Sequence, residues 1–284
     1  MRKIKMVIPK GRIFSNVVKL LNDSGISIDS ERRMYFPRIG DPEIEAKILK
    51  PQNIACLVEL GSHDIGFTGY DWIIETNSQV AEIMDLKLDP VEIVAAVPFS
   101  LEESGLRNRE IIVASEYENI SRRFLKKENY NFMLIRTYGA SEAYPPEDAD
   151  MVIDNISTGN TLKDHSLRVI AKIMNSSTRF IVNKKSLEDK WKREKIEELK
   201  MLFEGVINAR ERVILEMNVP PEKLEKLVFT LPCMRAPTVS TLYRDMGYAV
   251  KVAVKKGEIL KLIPKLKQMG ATDILECELK KVII

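Results

Sequence analysis

The 284-residue sequence predicts an α/β fold followed by a small α+β module. Three observations carry this. Short apolar strands alternate with amphipathic helices through most of the chain, the pattern of strands covered by crossover helices. The strand-to-helix junctions carry glycine together with cations, acids or hydroxyls, as ligand-binding turns of open α/β sheets do. From about residue 212 the pattern changes to period-two strands around two short helices, which fits a ferredoxin-like module.

Composition narrows the partners. Apolar residues make up 45% and charged residues 30% of the chain, as expected for a soluble globular protein. The formal charge of +3, from 44 basic and 41 acidic groups, is too near balance to argue for nucleic acid. No basic stripe is interleaved with aromatics to stack single-stranded bases. Cys56, Cys233 and Cys277 show no CxxC spacing, so neither a disulfide framework nor a thiolate zinc site is expected. With His63 and His165 as the only histidines, a histidine-ligated metal or a histidine-centred triad is not expected either. The apolar part of Met1–Ile8 is too short for a signal peptide. No apolar run approaches the ~20 residues that span a bilayer. A cytoplasmic protein with no membrane partner is expected.

Taken in order, Ile4, Met6 and Ile8 alternate as a strand ending at Pro9. Lys10-Gly11-Arg12 forms the turn, and Ile13, Val17, Leu20 and Leu21 recur at helical spacing up to Gly25. Ile44, Ala46 and Ile48 mark another strand. Pro51 suits the first turn of a helix through Ile54, Leu57 and Val58, closed by Gly61. Asp64 to Asp71 reads as a strand ending in a glycine turn, followed by Trp72, Ile73 and Ile74. Gly66 permits close backbone approach and Gly69 a left-handed turn; Asp71 could also be an ordinary helix N-cap. Glu92 to Pro98 reads as a buried strand leaving this first unit.

A second α/β series follows. Ile111 to Ala114 make a strand, Ile120, Phe124 and Leu125 a helix, and Phe132, Leu134 and Ile135 the next strand, leading into Tyr138-Gly139-Ala140-Ser141-Glu142. Then comes Asp150 to Thr161, an apolar strand with acids at both ends running into Ser157-Thr158-Gly159-Asn160-Thr161. Small residues let backbone N–H groups converge, the hydroxyls add donors, and a following helix would present its positive end, so the loop suits a phosphate. Asp154 faces a phosphate badly and sugar hydroxyls or a developing cation well. An ordinary helix cap explains the loop equally well when it is taken alone. The helix is expected through Leu162, Val169, Ile170 and Ile173, with a further strand at Phe180 to Val182. Ser186-Leu187-Glu188-Asp189 has a capping-box pattern before a long helix through Trp191, Leu199, Leu202, Phe203 and Val206.

In the C-terminal part, Val213, Leu215 and Met217 alternate, and Pro220-Pro221 introduces a short helix through Leu224 and Leu227. Tyr248 to Val254 is a period-two strand. Gly257 to Met269 is helical in pattern, with Pro264 expected to kink it or limit it to short pieces. Leu275, Cys277 and Leu279 alternate with charged residues as a half-exposed strand.

Several separated motifs resemble the long-form ATP phosphoribosyltransferases, first enzymes of histidine biosynthesis. These are Pro9 to Arg12, Asp64 to Asp71, Gly139 to Glu142, Asp150 to Leu162, and Ala236-Pro237-Thr238-Val239-Ser240, all in the family's order. The resemblance implies a two-lobed core like a type II periplasmic binding protein, with a small ferredoxin-like (ACT-like) third domain. Residues 1–95 with 180–211 would form domain I, 96–179 domain II, and 212–284 the regulatory domain. It implies ATP and 5-phosphoribosyl 1-diphosphate as substrates, Mg2+ as cofactor with no assigned protein ligand, and feedback inhibition by L-histidine. It also implies a homo-oligomer exchanging between dimer and hexamer, with no separate regulatory subunit.

Carried over by resemblance, Ser157, Thr158, Gly159, Asn160 and Thr161 would cradle the 5′-phosphate. Asp154, with Glu142 and Asp150, would face the ribose. Lys10, Gly11, Arg12, Arg32, Arg33, Lys50, Gly69, Tyr70 and Asp71 would bind ATP, and Met234, Ala236, Pro237, Thr238 and Ala271 the inhibitor. The sequence departs from the family at Lys50, which replaces an arginine and loses its bidentate fork. It departs also at Ala236, which replaces a serine hydroxyl, and at Pro264.

Overall fold

The computed structural model describes residues 2–29, 35–157, 162, 165–234 and 236–284. Its first strand, β1 (Ile4–Pro9), has Ile4, Met6, Val7 and Ile8 fully buried, as a strand covered on both faces requires. Helix α1 (Phe14–Asp23) turns Val17, Leu20 and Leu21 inward and ends before Gly25 at φ +93°. Ile28–Asp29 (β2) and Arg38–Ile39 (β3) form a short antiparallel ribbon. β4 (Ile44–Leu49) pairs parallel with β1. α2 (Pro51–Glu59) starts on Pro51, and β5 (Ile65–Gly69) pairs parallel with the other side of β1. Gly66 is there for space. A Cβ would lie 2.8 Å from Val7 Cγ1 and 2.9 Å from Ile54 Cγ2.

α3 (Tyr70–Thr76) leads into β6 (Ala81–Pro98), far longer than the Glu92–Pro98 strand expected. Beyond it lie α4 (Glu103–Leu106), β7 (Glu110–Ser115), α5 (Glu118–Lys127), β8 (Asn131–Arg136) and β9 (Met151–Ile156). β10 (Leu167–Val182) then returns antiparallel along β6 and next to β5. The eight strands run in the order β4-β1-β5-β10-β6-β9-β7-β8. Two parallel trios, β4-β1-β5 and β9-β7-β8, are thus joined through the long antiparallel pair β10-β6. Sequence patterning found the two α/β units but not this double crossover.

Four sequence expectations are corrected here. Val169, Ile170 and Ile173 lie on β10, not on a helix. Register shifts between Val169 and Ala171 and between Lys172 and Met174 break the period of two and leave a spacing that imitates a helix. Gly69 has φ −69°, an extended conformation, so it is not left-handed. The capping box does not start the long helix α6 (Lys190–Arg210). Asn183 caps the preceding 3-10 turn, Asp189 Oδ1 accepts from Lys192 N, and Ser186 Oγ donates to Asp64. Finally, Leu275 and Cys277 are exposed, while Ile274 on the other face of the last strand packs, partly buried, against the core.

By contacts the chain divides into residues 1–21 with 26–196, and 22–25 with 197–284. The second unit contains β11 (Arg212–Val219), α7 (Leu224–Thr230), β12 (Thr238–Thr241), β13 (Tyr248–Lys255), α8 (Ile259–Gln268) and β14 (Thr272–Glu278). Its antiparallel order, β12-β13-β11-β14, is that of a ferredoxin-like βαββαβ module. Val213, Leu215, Met217, Val250, Val252 and Val254 meet Leu227, Leu262 and Leu266 in its core. Pro264 lies inside the ten-residue α8 without dividing it.

Candidate active site

The C-terminal ends of β1, β5 and β9 open on one cavity of about 270 Å3. Lys10 and Arg12 follow β1, Gly69 and Asp71 follow β5, and Asn155 lies near the end of β9. The parallel trios bring these ends together, where helix starts and loop backbones can address a ligand. Gln52, Asp89, Glu116, Tyr117, Ser176 and Thr178 complete much of the wall. Gln52 Oε1, Asp89 Oδ2 and Thr178 Oγ1 are buried without a hydrogen-bond partner. The first two can only accept a hydrogen bond, and all three atoms are closed off from the cavity itself.

Asp71 is buried, and it is no N-cap. Ser176 Oγ donates to its Oδ1 (2.6 Å) and Tyr117 Oη to its Oδ2 (2.7 Å). The need for glycine at position 69 follows, because a Cβ there would lie 2.0 Å from Asp71 Oδ1. The Tyr117 ring stacks on Trp72 at 4.7 Å. Burial, with the Asp71 charge beside it, pushes the Tyr117 hydroxyl well above its ordinary range. Tyr117 Oη also accepts from Asn155 Nδ2 (3.0 Å), which donates in turn to Asp154 Oδ1 (3.1 Å).

Asp154 has the most informative electrostatics. Burial raises its pKa to about 6, and the Glu116 and Glu142 charges add to the rise, while bonds from Asn155 N and Ser141 oppose it. Glu142 belongs to the 3-10 turn Ser141–Ala143, near enough for its charge to act on Asp154. Asp150 is different. Arg109 grips its two oxygens at 2.6 and 2.9 Å, Ile112 N donates at 2.9 Å, and the Arg109 bond holds its carboxyl below the ordinary range. Four residues of strand put it ~13 Å from Asp154. Its expected place beside the ribose is therefore corrected to a structural one. Asp150→Ala should cost about 1 kcal/mol or less and leave kcat of the folded enzyme within about twofold, as should Arg109→Ala. Urea denaturation and initial rates check both.

Arg32, Arg33, Thr158, Gly159, Asn160 and Thr161 lie outside the described residues. Ser157 ends the described part of the loop, and beyond it Leu162 packs with Val94, Ala96, Val152 and Leu167. Gly11 is at φ +86° in the turn between β1 and α1. Lys50 is the exposed residue preceding α2 and does not line the cavity. Tyr70 lies under Arg179, 4.9 Å from ring to guanidinium. Met234, Ala236 and Pro237 precede β12, which Thr238 opens, whereas the buried Ala271 precedes β14. Those strands are opposite edges of the sheet, ~14 Å apart at the usual strand spacing. Thr238 and Ala271 are therefore not gathered within one chain.

Sequence reasoning missed Tyr117, Ser176, Thr178 and Gln52. Tyr117 could have been found, since it follows the C-terminal end of a strand read correctly. Ser176 and Thr178 were hidden by the misread β10.

The family model for ATP phosphoribosyltransferase matches residues 50–205, and that for the HisG C-terminal domain matches 209–281. The chain belongs to the ATP phosphoribosyltransferase family. An ATP phosphoribosyltransferase of Pelodictyon phaeoclathratiforme is 39% identical over 99% of this chain and 97% of that protein. One of Thermodesulfovibrio yellowstonii is 38% identical over 99% and 98%. A chain in the Thermotoga maritima ATP phosphoribosyl transferase (HisG:HisZ) complex is 24% identical over 71% of this chain and 98% of its own, with a TM-score of 0.63, a likeness of fold. As an ATP phosphoribosyltransferase the protein is a transferase of the first histidine-biosynthetic step, with ATP and 5-phosphoribosyl 1-diphosphate as substrates. The match of the C-terminal model makes it the long form. No helix among the described residues is long and apolar enough to cross a membrane.

Proposed function

We propose that adenine N1 of ATP attacks C1 of the phosphoribosyl group in this cavity, displacing diphosphate and giving N1-(5-phosphoribosyl)-ATP. The observation that carries the reading is the juxtaposition of Lys10, Arg12 and Asp71 with Asn155, whose amide holds Asp154. N1 already has a free lone pair, so the nucleophile needs no strong base. What remains is alignment and charge stabilisation, and proximity alone supplies roughly 7–11 kcal/mol in favourable intramolecular cases. Lys10 and Arg12 would neutralise polyphosphate. Ionised Asp154 would face the cationic ribose as the C1–O bond breaks, and Ser157 to Thr161 would hold the 5′-phosphate.

Mg2+ belongs to the same reading, lowering the charge of the departing diphosphate. Among the described residues no three His, Cys, Asp or Glu side chains group at metal-binding distance. The ion fits best as one carried by substrate phosphates, the usual habit of Mg2+. The assay is direct: protein, ATP, 5-phosphoribosyl 1-diphosphate and Mg2+ are mixed and ultraviolet absorbance is followed. Formation of the N1 adduct is expected. Absence of adduct with both substrates present overturns the proposal.

The reading includes a partition into 1–95 with 180–211, 96–179 and 212–284, supported by the crossing of the chain on β6 and β10. It also includes a cytoplasmic, dimer–hexamer enzyme needing no separate regulatory subunit and inhibited by L-histidine through 212–284. Since Thr238 and Ala271 lie at opposite sheet edges, a pocket using both would draw on two copies. Histidine is expected to lower the initial rate, and a rate unchanged up to the solubility limit of histidine removes this part.

A further inference from the structure

One chain of hydrogen bonds runs from Ser176, Asp71, Tyr117 and Asn155, which line the cavity, to Asp154, which lies next to that lining. Ser176 Oγ on β10 and Tyr117 Oη, just before α5, both donate to Asp71 at the start of α3. Asn155 Nδ2 on β9 donates to Tyr117 Oη, and Asn155 bonds Asp154 Oδ1 through both its backbone N (2.6 Å) and its side-chain amide (3.1 Å). Tyr117 is the joint of this chain. Its hydroxyl donates in one direction and accepts from the other, and its ring is fixed on Trp72. The backbone N of Tyr117 is itself held by Ser115 Oγ (2.9 Å), which donates to Ile153 O on β9 (2.6 Å). The phenol thus joins segments from both parallel trios.

We propose that Tyr117 is a positioning residue for the transfer: by accepting from Asn155 while donating to Asp71, it fixes the amide that holds the Asp154 carboxylate and sets the sugar side and nucleotide side of the cavity in one frame. This rests on the assignment of Asp154 made above. A buried amide that loses its acceptor can rotate, and Asp154 then loses a donor that favours its ionised form. Other groups acting on Asp154 stay in place: Glu116 before α5, and Glu142 and Ser141 on the 3-10 turn. On β6, Val94 is its cross-strand partner, and Glu92 is tied to Lys172 at 2.9 Å. Removing the phenol oxygen therefore breaks its two bonds, to Asp71 and from Asn155, and changes none of these charges.

The test uses the full-length enzyme with ATP, 5-phosphoribosyl 1-diphosphate and Mg2+. Tyr117→Phe keeps the ring on Trp72. It should lower kcat by about tenfold or more with both KM values within about threefold. The acid limb of its kcat–pH profile should move upward by about half a unit. Asn155→Leu, which leaves the Tyr117–Asp71 bond intact, should give the same signature, and the double variant should be no worse than the poorer single one. The second variant keeps the test decisive if Tyr117→Phe folds badly. If the limb belongs to Asp154 but stays put in both variants, with kcat within about twofold of wild type, the positioning role falls alone. If the wild-type limb persists in Asp154→Asn, the assignment of Asp154 falls and takes this role with it.

Discussion

Asp154→Asn should lower kcat by about 10²–10³-fold and, at pH 8, raise the melting temperature. Both effects come from one group. Burial, with Glu116 and Glu142 adding to it, brings the Asp154 carboxyl to about 6 from an ordinary 3.8. A carboxylate kept partly out of water and near two other acids gains most when positive charge develops at the ribose. The sign of the stability effect follows from the direction of the shift. With the folded pKa above the unfolded one, the favourable contribution is complete below about pH 4 and is lost as pH rises through about 6. At pH 8 the ionised group costs the fold on the order of 1–3 kcal/mol, and asparagine removes that cost. The melting-temperature advantage should vanish near pH 4, while wild-type kcat should fall as pH drops through about 6. Calorimetry across pH beside steady-state rates checks both. Turnover equal to wild type would remove Asp154 from the chemistry, and a lower melting temperature at pH 8 would reverse the electrostatic account.

Much of the first unit was legible because its signals are local. Pro51 and Gly61 bracket α2, Gly25 ends α1, and the alternation of Ile4, Met6 and Ile8 needs no knowledge of distant residues. The double crossover was not legible, since β10 carries register shifts that make Val169, Ile170 and Ile173 look helical. Its cost was the loss of Ser176 and Thr178 from the expected site. Asp154 was found through its closeness to a loop of unusual chemistry. Asp150 was misplaced for the same reason: two acids flanking a strand look equivalent in sequence, although a strand holds its ends far apart. Tyr117 reads as an ordinary aromatic before a helix. Only pairing of β9 with β7 and the docking of α3 give its hydroxyl two partners.

Asp64 opens the same glycine motif that supplies Gly69 and Asp71, yet its work is structural, and Asp64→Ala should cost about 3–5 kcal/mol. The residue is 4% exposed. Its Oδ2 accepts from Lys5 N at 2.8 Å, and its Oδ1 accepts from Ser186 Oγ at 2.7 Å and Lys192 Nζ at 2.5 Å. One carboxylate thus ties β1, the 3-10 turn and the start of α6 to the strand that ends in the active-site turn. Alanine would strand a half-buried ammonium and two donors together, which is costlier than losing the bonds themselves. Asp64→Asn keeps an acceptor and should lose roughly half as much. Lys192→Met, which deletes the charge on the other side, should soften the alanine effect in a double-mutant cycle. Urea midpoints measure all four proteins. In the fraction that remains folded, kcat should stay within about threefold of wild type, because no Asp64 atom lines the cavity. A large fall in kcat at unchanged stability would instead place Asp64 in the chemistry and overturn the division of labour between the two ends of this strand.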